Sequence, residues 1–301
     1  MDKKTVVFVV LSIASIYVYR YYQNAEHYYD RLTQQKYASE YVMGDAPWKH
    51  RAPYLWVHAQ GEYNARDWAS WGSRTSEQLN QPFLYVTMKS VLETCGESFN
   101  ICLIDDAAFK RLLPDWNVDM ALLPSPMKEH YRQFGVALLL SQYGGFYVPC
   151  STLCRVDLAP IYKEAMGTMG CFAVETTQGG EVRPDPAFLG CKKGNPTMKV
   201  FAEYIGHLLK RDYTAEKDFL GSLSAWCRQN MAVVDGRVVG AKRPDGGPVD
   251  VGDLLTQNDL PVDNSVVYLD AAEILRRPKY AWFSRMSVEQ LLESDLTLFK
   301  K

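Results

Sequence analysis

Residues 142–154, with the sequence QYGGFYVPCSTLC, constrain the fold more than any other stretch, because a helix end and a buried strand meet there at two glycines. The preceding residues 130–143 carry apolar side chains at helical spacing, and Ser125-Pro126 has the pattern of a helix start. Gly144 stops this helix, and residues 146–148 form an apolar strand. The pattern predicts a helix, a tight turn and a strand that returns to the core.

The end of this strand is a predicted site. In open α/β sheets, ligands gather beyond the carboxyl ends of strands, so Pro149, Cys150 and Ser151 are the candidate floor of a pocket. We expect the turn formed by Gly144 and Gly145 to lie next to that pocket.

Two further segments fit the same sheet. Residues 53–58 form a predicted first strand that ends at a histidine, and a predicted helix spans residues 90–92. The strand over residues 100–104 is followed by Asp105 and Asp106, which could meet a ribose or a base, and which equally suit a helix cap.

In this order, the segments resemble the glycosyltransferases with a GT-A fold, in particular the family 32 and capsular-polysaccharide-synthesis-like group with a DXD motif. Residues 277–283 resemble the end of related sequences from large DNA viruses. The resemblance implies an α/β fold, with one GT-A-like, Rossmann-type nucleotide-sugar-binding domain over residues 49–301. It also implies a hexosyltransferase that moves a sugar from a nucleotide-sugar donor to a glycan or protein acceptor.

The metal site is where the chain departs from this family. Pro149 and Ser151 stand at the two aspartate positions of the DXD motif, and Gln133 and Val136 replace the Asp and Arg that usually precede the glycines. Magnesium and manganese need oxygen ligands, which proline cannot supply from its side chain. We therefore predict no metal ligands at the motif and no certain cofactor.

The strand ends and the resemblance together give a set of candidate substrate-binding residues, without a catalytic residue. They are His58, Asp105, Asp106, Gly144, Gly145, Pro149, Ser151, Asp185, Lys279 and Trp282. Asp185 is expected in a loop before a strand on the acceptor side, with an ordinary turn as the alternative. Arg132 is interpreted as an exposed helix residue.

Positive charge must neutralise the nucleotide diphosphate if no metal does so. Lys279 and Trp282 belong to an aromatic and basic cluster with Tyr280, Arg276 and Arg277, whose alternative interpretation is an amphipathic helix end packed on the domain. Lys279, Arg277 or the pair Lys192-Lys193 are the candidate sources of that charge.

The N-terminus is predicted to be a membrane anchor. Residues 5–19 are uncharged and apolar, with lysines before them and an arginine with two tyrosines after them. We assign residues 1–22 to a transmembrane helix and 23–48 to a stem, and expect a single-pass type II protein with a lumenal or external domain. A cleaved signal peptide and a buried helix are the alternatives.

The composition of the chain limits the classes of partner that we predict for it. A net charge of -2 gives no basic excess, so nucleic acid is not a predicted partner. The 7 cysteines permit disulfides without implying them, and the spacing of Cys150 and Cys154 lacks the further ligands of a zinc site. A non-catalytic sugar-binding or structural membrane or virion protein that keeps the fold is the rival function, and a hydrolase is disfavoured because no GXSXG motif occurs.

Overall fold

The computed structural model describes residues 38–42, 49, 51–59, 81–167, 169–211, 216–257 and 265–299. The chain divides into two compact units, Met1–Tyr41 and Val42–Lys301. In the first unit only residues 38–41 are described, and they end a helical turn. The predicted anchor and nearly all of the predicted stem therefore lie outside the described residues. Within the described ranges, no helix combines the length and the apolar character needed to cross a membrane.

The second unit combines strands and helices. Its described strands are β1 (Tyr54–His58), β2 (Asn100–Ile104), β3 (Gly145–Pro149), β4 (Thr152–Cys154), β5 (Cys171–Gln178), β6 (Glu181–Cys191), β7 (Ala232–Val234) and β8 (Val266–Tyr268). Its described α-helices are α1 (Pro82–Cys95), α2 (Asp106–Leu112), α3 (Met127–Tyr143), α4 (Ala159–Met166), α5 (Pro196–Leu208), α6 (Glu216–Asn230), α7 (Val251–Leu254), α8 (Ala271–Arg276), α9 (Ala281–Ser284) and α10 (Val288–Leu292). Short 3-10 turns lie at Met120–Leu122, Gly236–Val239 and Pro278–Tyr280.

A six-stranded sheet in the order β2-β1-β3-β6-β5-β7 forms the centre, and β4 pairs with β8 in a separate two-stranded sheet. Strands β2, β1 and β3 are parallel, whereas β6 is antiparallel to both of its neighbours. The predicted α/β class is confirmed in the form of a mixed sheet with a parallel half.

Strand β1 marks a change in direction of the chain across the sheet. The chain passes from β1 to β2 on one side, and then to β3 on the other side of β1. The helices between these strands therefore diverge, and a crevice opens at the carboxyl ends of β1 and β3. Such a topological switch point is where open α/β sheets bind ligands.

The predicted helix, turn and strand around the two glycines are confirmed. Gly144 has φ 71° and Gly145 has φ 108°, in the region that favours glycine. Strand β3 begins at Gly145 itself. The predicted helix start is off by one residue, because α3 begins at Met127 and Pro126 precedes it.

Two buried clusters hold the strand ends in place. Leu55, Phe146 and Phe188 from adjacent strands of the central sheet share one cluster with side chains of α1 and α4. A second cluster joins β4 and β8 to the C-terminal helices through residues such as Val267 and Phe283. Burial of these side chains is the main stabilising contribution to the strand arrangement that creates the crevice.

Candidate functional site

The carboxyl ends of β1 and β3 open into a cavity of about 410 Å³, here called the carboxyl-end cavity. His58 at the end of β1 and residues 149–151 form one part of its wall. The β5–β6 hairpin, the start of α3 and the start of α8 form the rest. Its volume lies within the usual range for small-molecule sites.

Three side chains form a connected group at one wall of this cavity. The Arg132 guanidinium donates from Nε to Asp106 Oδ1 at 2.7 Å and from Nη2 to Asp106 Oδ2 at 2.6 Å. His58 Nε2 lies 3.1 Å from the same Oδ1. His58 and Arg132 are each 4% exposed, so the prediction of an exposed Arg132 is wrong. The arrangement is a bidentate ion pair with a histidine attached.

The charge on Asp106 fixes the role of the histidine. Partial burial raises the pKa of Asp106, but the hydrogen bonds and charges of Arg132 and His58 outweigh it and hold that pKa well below its usual range. An ionised carboxylate can only accept, so Nε2 of His58 donates to it. Nδ1 of His58 is buried and has no hydrogen-bond partner among the described residues. In the neutral ring that atom is a hydrogen-bond acceptor.

Two carboxyl groups with raised pKa also line the cavity. Asp185 is fully buried, where it accepts from the Thr176 hydroxyl at 2.7 Å and from the Ala187 amide at 2.8 Å, yet burial still raises its pKa. It lies within β6, so its predicted place in a loop before a strand is wrong. Asp270 caps α8 by accepting from the Glu273 amide at 2.9 Å. Burial raises the pKa of Asp270, and the charge of Asp185 adds to the effect.

The DXD positions of the cavity do not suit a divalent metal ion. Pro149 has no side-chain donor, and the Ser151 hydroxyl donates to the Leu269 carbonyl at 2.5 Å. Burial raises the pKa of Cys150 between them to about 11, which keeps its thiol protonated. In the part of the chain that the structure describes, no group of three His, Cys, Asp or Glu side chains is placed to hold a metal ion. The residues at these positions therefore do not fit the metal that the resemblance implies.

Of the predicted basic cluster, Arg276 lines the cavity, and a second cation comes from the β5–β6 hairpin. Arg276, at the end of α8, and Arg183, whose Nε donates to Gln178 Oε1 at 2.9 Å, line it. Lys279 and Trp282 do not line it. The Lys279 ammonium lies 4.4 Å from the centre of the Tyr280 ring, and Trp282 borders a separate surface depression near the C-terminus.

The remaining candidates lie apart from the cavity. Gly144 and Gly145 are at the amino end of β3, whereas Pro149 and Ser151 are at its carboxyl end, so the predicted placement of the glycines next to the pocket is wrong. Asp105 is the N-cap of α2, where its side chain accepts from the Ala108 amide at 2.8 Å.

Sequence reasoning missed two carboxylates of the cavity. Asp270 stands between the end of β8 and a helix, with a glutamate three positions later, and this helix-start pattern was a usable signal. Glu129 in the first turn of α3 also lines the cavity, and its Oε2 has no hydrogen-bond partner among the described residues. No sequence signal places Glu129 there.

No family model matches the chain, and no curated protein sequence does. Among solved structures, one titled "PaToxG Glycosyltransferase" matches at 12% identity, over 71% of this chain and 80% of that chain, with a TM-score of 0.33. At that TM-score the likeness carries no argument about activity. Membership of family 32 and the similarity to viral sequences remain predictions.

Proposed function

We propose that the chain is a glycosyltransferase-like protein that binds a nucleotide sugar in the carboxyl-end cavity without a metal ion at the DXD positions. The observation that carries this proposal is the coincidence of the topological switch point with a cavity that contains arginines and buried carboxyl groups. The order of segments that resembles the GT-A glycosyltransferases supports the same ligand class.

The residues of the cavity divide into three roles in this proposal. Arg276 and Arg183 face the diphosphate and stabilise the charge that develops on it as the bond to the sugar breaks. The group His58–Asp106–Arg132 holds one wall rigid and offers His58 Nδ1 to a ligand hydroxyl. Asp270 accepts the proton of the acceptor hydroxyl, because a partly buried carboxyl with raised pKa is suited to general-base work.

The transfer balances with these groups alone. The bond from the anomeric carbon to the diphosphate oxygen breaks, and its electron pair leaves with the nucleotide diphosphate. The acceptor oxygen forms the new bond to the sugar and loses its proton to Asp270. The acceptor is a glycan or protein, and the predicted anchor over residues 1–22 would hold the domain on the lumenal or outer side of a membrane.

Nucleotide binding is expected to need no divalent cation and to depend on Arg276. Calorimetric titration of UDP, GDP and their sugar derivatives, in EDTA and in manganese, measures both effects. Arg276→Gln should weaken binding by about tenfold to a hundredfold, since a hydrogen bond to a charged group contributes about 1.5–3 kcal/mol. The matched control is Arg277→Gln, whose side chain instead lies 3.4 Å from Glu273 at the surface.

Each outcome of that titration supports or refutes a part of the proposed function. Tight binding that requires manganese would refute the metal-free site, and the absence of binding in every condition would refute the donor site itself. Binding without sugar transfer to any acceptor, or to water, would favour the rival function of a non-catalytic sugar-binding protein. This rival function is favoured by one observation: Pro149 and Ser151 stand where the DXD motif has its two aspartates.

Asp270→Asn is expected to lower the rate of sugar transfer by about a hundredfold or more, the usual effect of losing a general base. Asparagine is also a good helix cap, so the start of α8 should be preserved. A carboxyl with raised pKa favours the folded state below its unfolded pKa, and that contribution is lost as pH rises through the folded value. The variant should therefore match or exceed the wild-type stability at neutral pH.

The control for this prediction is Asp250→Asn, because Asp250 caps α7 in a capping box and does not line the cavity. It should leave transfer unchanged. If Asp270→Asn retained wild-type transfer while donor binding was normal, Asp270 would not be the proton acceptor.

A further inference from the structure

A second depression, of about 990 Å³, lies at the amino ends of β1 and β3, and we call it the amino-end groove. Its charged lining residues are all basic: Lys49, Arg51, Lys163, Lys192 and Lys193. The whole chain has a net charge of -2, so this face is a local concentration of positive charge. Such a patch attracts anionic surfaces.

Most of these basic side chains are exposed to solvent. Arg51, Lys163 and Lys192 are exposed. Lys49 is held in place, because its ammonium donates to the carbonyls of Gly96 and Glu97, each at 2.7 Å. The groove therefore has one fixed cation and several long, exposed basic side chains around it.

The carboxylate of Asp157, near the groove-lining Ser98, does not cancel this charge as an ion-pair partner. One of its oxygens hydrogen-bonds with the Ser98 hydroxyl, and the other accepts from the Ala159 amide at 3.0 Å. The second bond ties Asp157 to the first residue of α4, whose N-cap is Leu158. Its negative charge reduces the potential near α4 without pairing with any of the groove lysines in the described residues.

The aromatic rings of the groove are engaged by the protein itself. Tyr54 stacks on Trp56 with the ring centres 4.8 Å apart, and the Tyr143 hydroxyl donates to the Leu112 carbonyl at 2.8 Å. The Tyr162 ring packs against Phe99 and Phe146. Single-stranded nucleic acid is bound through exposed aromatic rings on which bases stack. The groove lacks this feature in its described residues, and offers exposed charge instead.

The sequence position of the groove residue Lys49 indicates a membrane as the anionic surface. Lys49 follows directly on residues 23–48, the predicted stem that connects the domain to the predicted anchor. The groove is at the amino ends of the strands and the carboxyl-end cavity is at their opposite ends. Contact of the groove with a membrane would leave that cavity open to an acceptor.

We propose that the amino-end groove binds the anionic headgroups of the membrane in which the chain is anchored. Exposed lysines and arginines close to such a surface each strengthen binding about fivefold, and three of them together by roughly a hundredfold. The contact uses a different face of the sheet from the proposed donor site, but it rests on the predicted anchor and requires anionic lipid in the leaflet that faces the domain.

Lysine footprinting of the full chain tests the proposal. The chain is mixed with phosphatidylcholine vesicles or with vesicles that also contain phosphatidylserine, and acylation of each lysine is followed by mass spectrometry. Lys163, Lys192 and Lys193 should react about tenfold more slowly on the phosphatidylserine vesicles, and salt should remove this protection. Lys110, Lys210 and Lys279 serve as internal controls, because each is exposed and lies outside the groove.

Charge reversal provides a second measurement. One triple variant combines Lys163→Glu, Lys192→Glu and Lys193→Glu, and its rate of association with phosphatidylserine vesicles should fall at least about tenfold. The control triple variant combines Lys110→Glu, Lys210→Glu and Lys279→Glu, and its association rate should stay within about twofold of wild type. Equal acylation on both kinds of vesicle would overturn the proposal. Protection by a single-stranded RNA oligonucleotide, and not by the vesicles, would overturn it in favour of a nucleic-acid surface. Nucleotide-sugar binding should be unchanged throughout, which separates this test from that of the cavity.

Discussion

Gly145→Ala is expected to lower the free energy of unfolding by about 2–5 kcal/mol, even though alanine adds only one methyl group. Gly145 has φ 108°, which costs an L-residue about 1–2 kcal/mol. A Cβ there would lie 2.5 Å from the Tyr54 carbonyl oxygen and 2.9 Å from the Tyr54 Cβ. Crowding of this kind in a packed interior adds about 1–3 kcal/mol. Urea denaturation of the full chain measures the difference.

Gly246→Ala separates the two contributions. Gly246 has φ 88°, and a Cβ at this position would meet nothing within 4 Å. Gly246→Ala should therefore lower the free energy of unfolding by only about 1–2 kcal/mol, which is the conformational cost alone. Equal losses at the two positions would show that the contact with β1 does not matter. Wild-type stability of Gly145→Ala would refute the turn geometry itself.

The turn at Gly144 and Gly145 could be predicted from the sequence because it depends on neighbouring residues only. A helix stop, a pair of glycines and an apolar strand are local patterns, and they predicted the turn and β3. The bounds of the strand at Asn100–Ile104 were also predicted, because its apolar run is short and its ends are polar. The edge of the sheet at which a ligand gathers follows from strand direction. The two glycines were wrongly predicted next to the pocket, because they lie at the amino end of β3 and the pocket lies at its carboxyl end.

The far wall of the cavity could not be predicted, because it depends on contacts between distant residues. Asp185 enters the cavity from an antiparallel strand whose register shifts between Ala173 and Val174. Asp270 arrives from a strand that pairs with β4, more than a hundred residues earlier in the chain. Arg132 was interpreted as exposed because a charged residue on a helix usually is. Its burial depends on Asp106, which belongs to a different helix.

Arg132→Met is expected to lower the free energy of unfolding by about 2–4 kcal/mol, because it leaves the Asp106 carboxylate without its main partner. Breaking a fully buried pair costs about 3–5 kcal/mol, and the expected loss is smaller because the Asp106 side chain remains 25% exposed. The control is Arg237→Met, which breaks the surface pair with Asp235 and should change stability little. In a double-mutant cycle, Asp106→Asn combined with Arg132→Met should cost less than the sum of the two single changes.

The pH dependence of the same variants identifies the charge responsible. The pKa of Asp106 is lowered in the folded protein, so its contribution to stability is present above the unfolded pKa of about 3.9 and is lost as pH falls below that value. The stability gap between the wild type and Asp106→Asn should therefore narrow steadily as the solution becomes more acidic than about pH 4. Stability curves from urea denaturation at several pH values measure this gap. A gap that does not depend on pH would mean that Asp106 contributes through packing alone, and the ionised carboxylate would lose its role in holding His58 at the cavity wall.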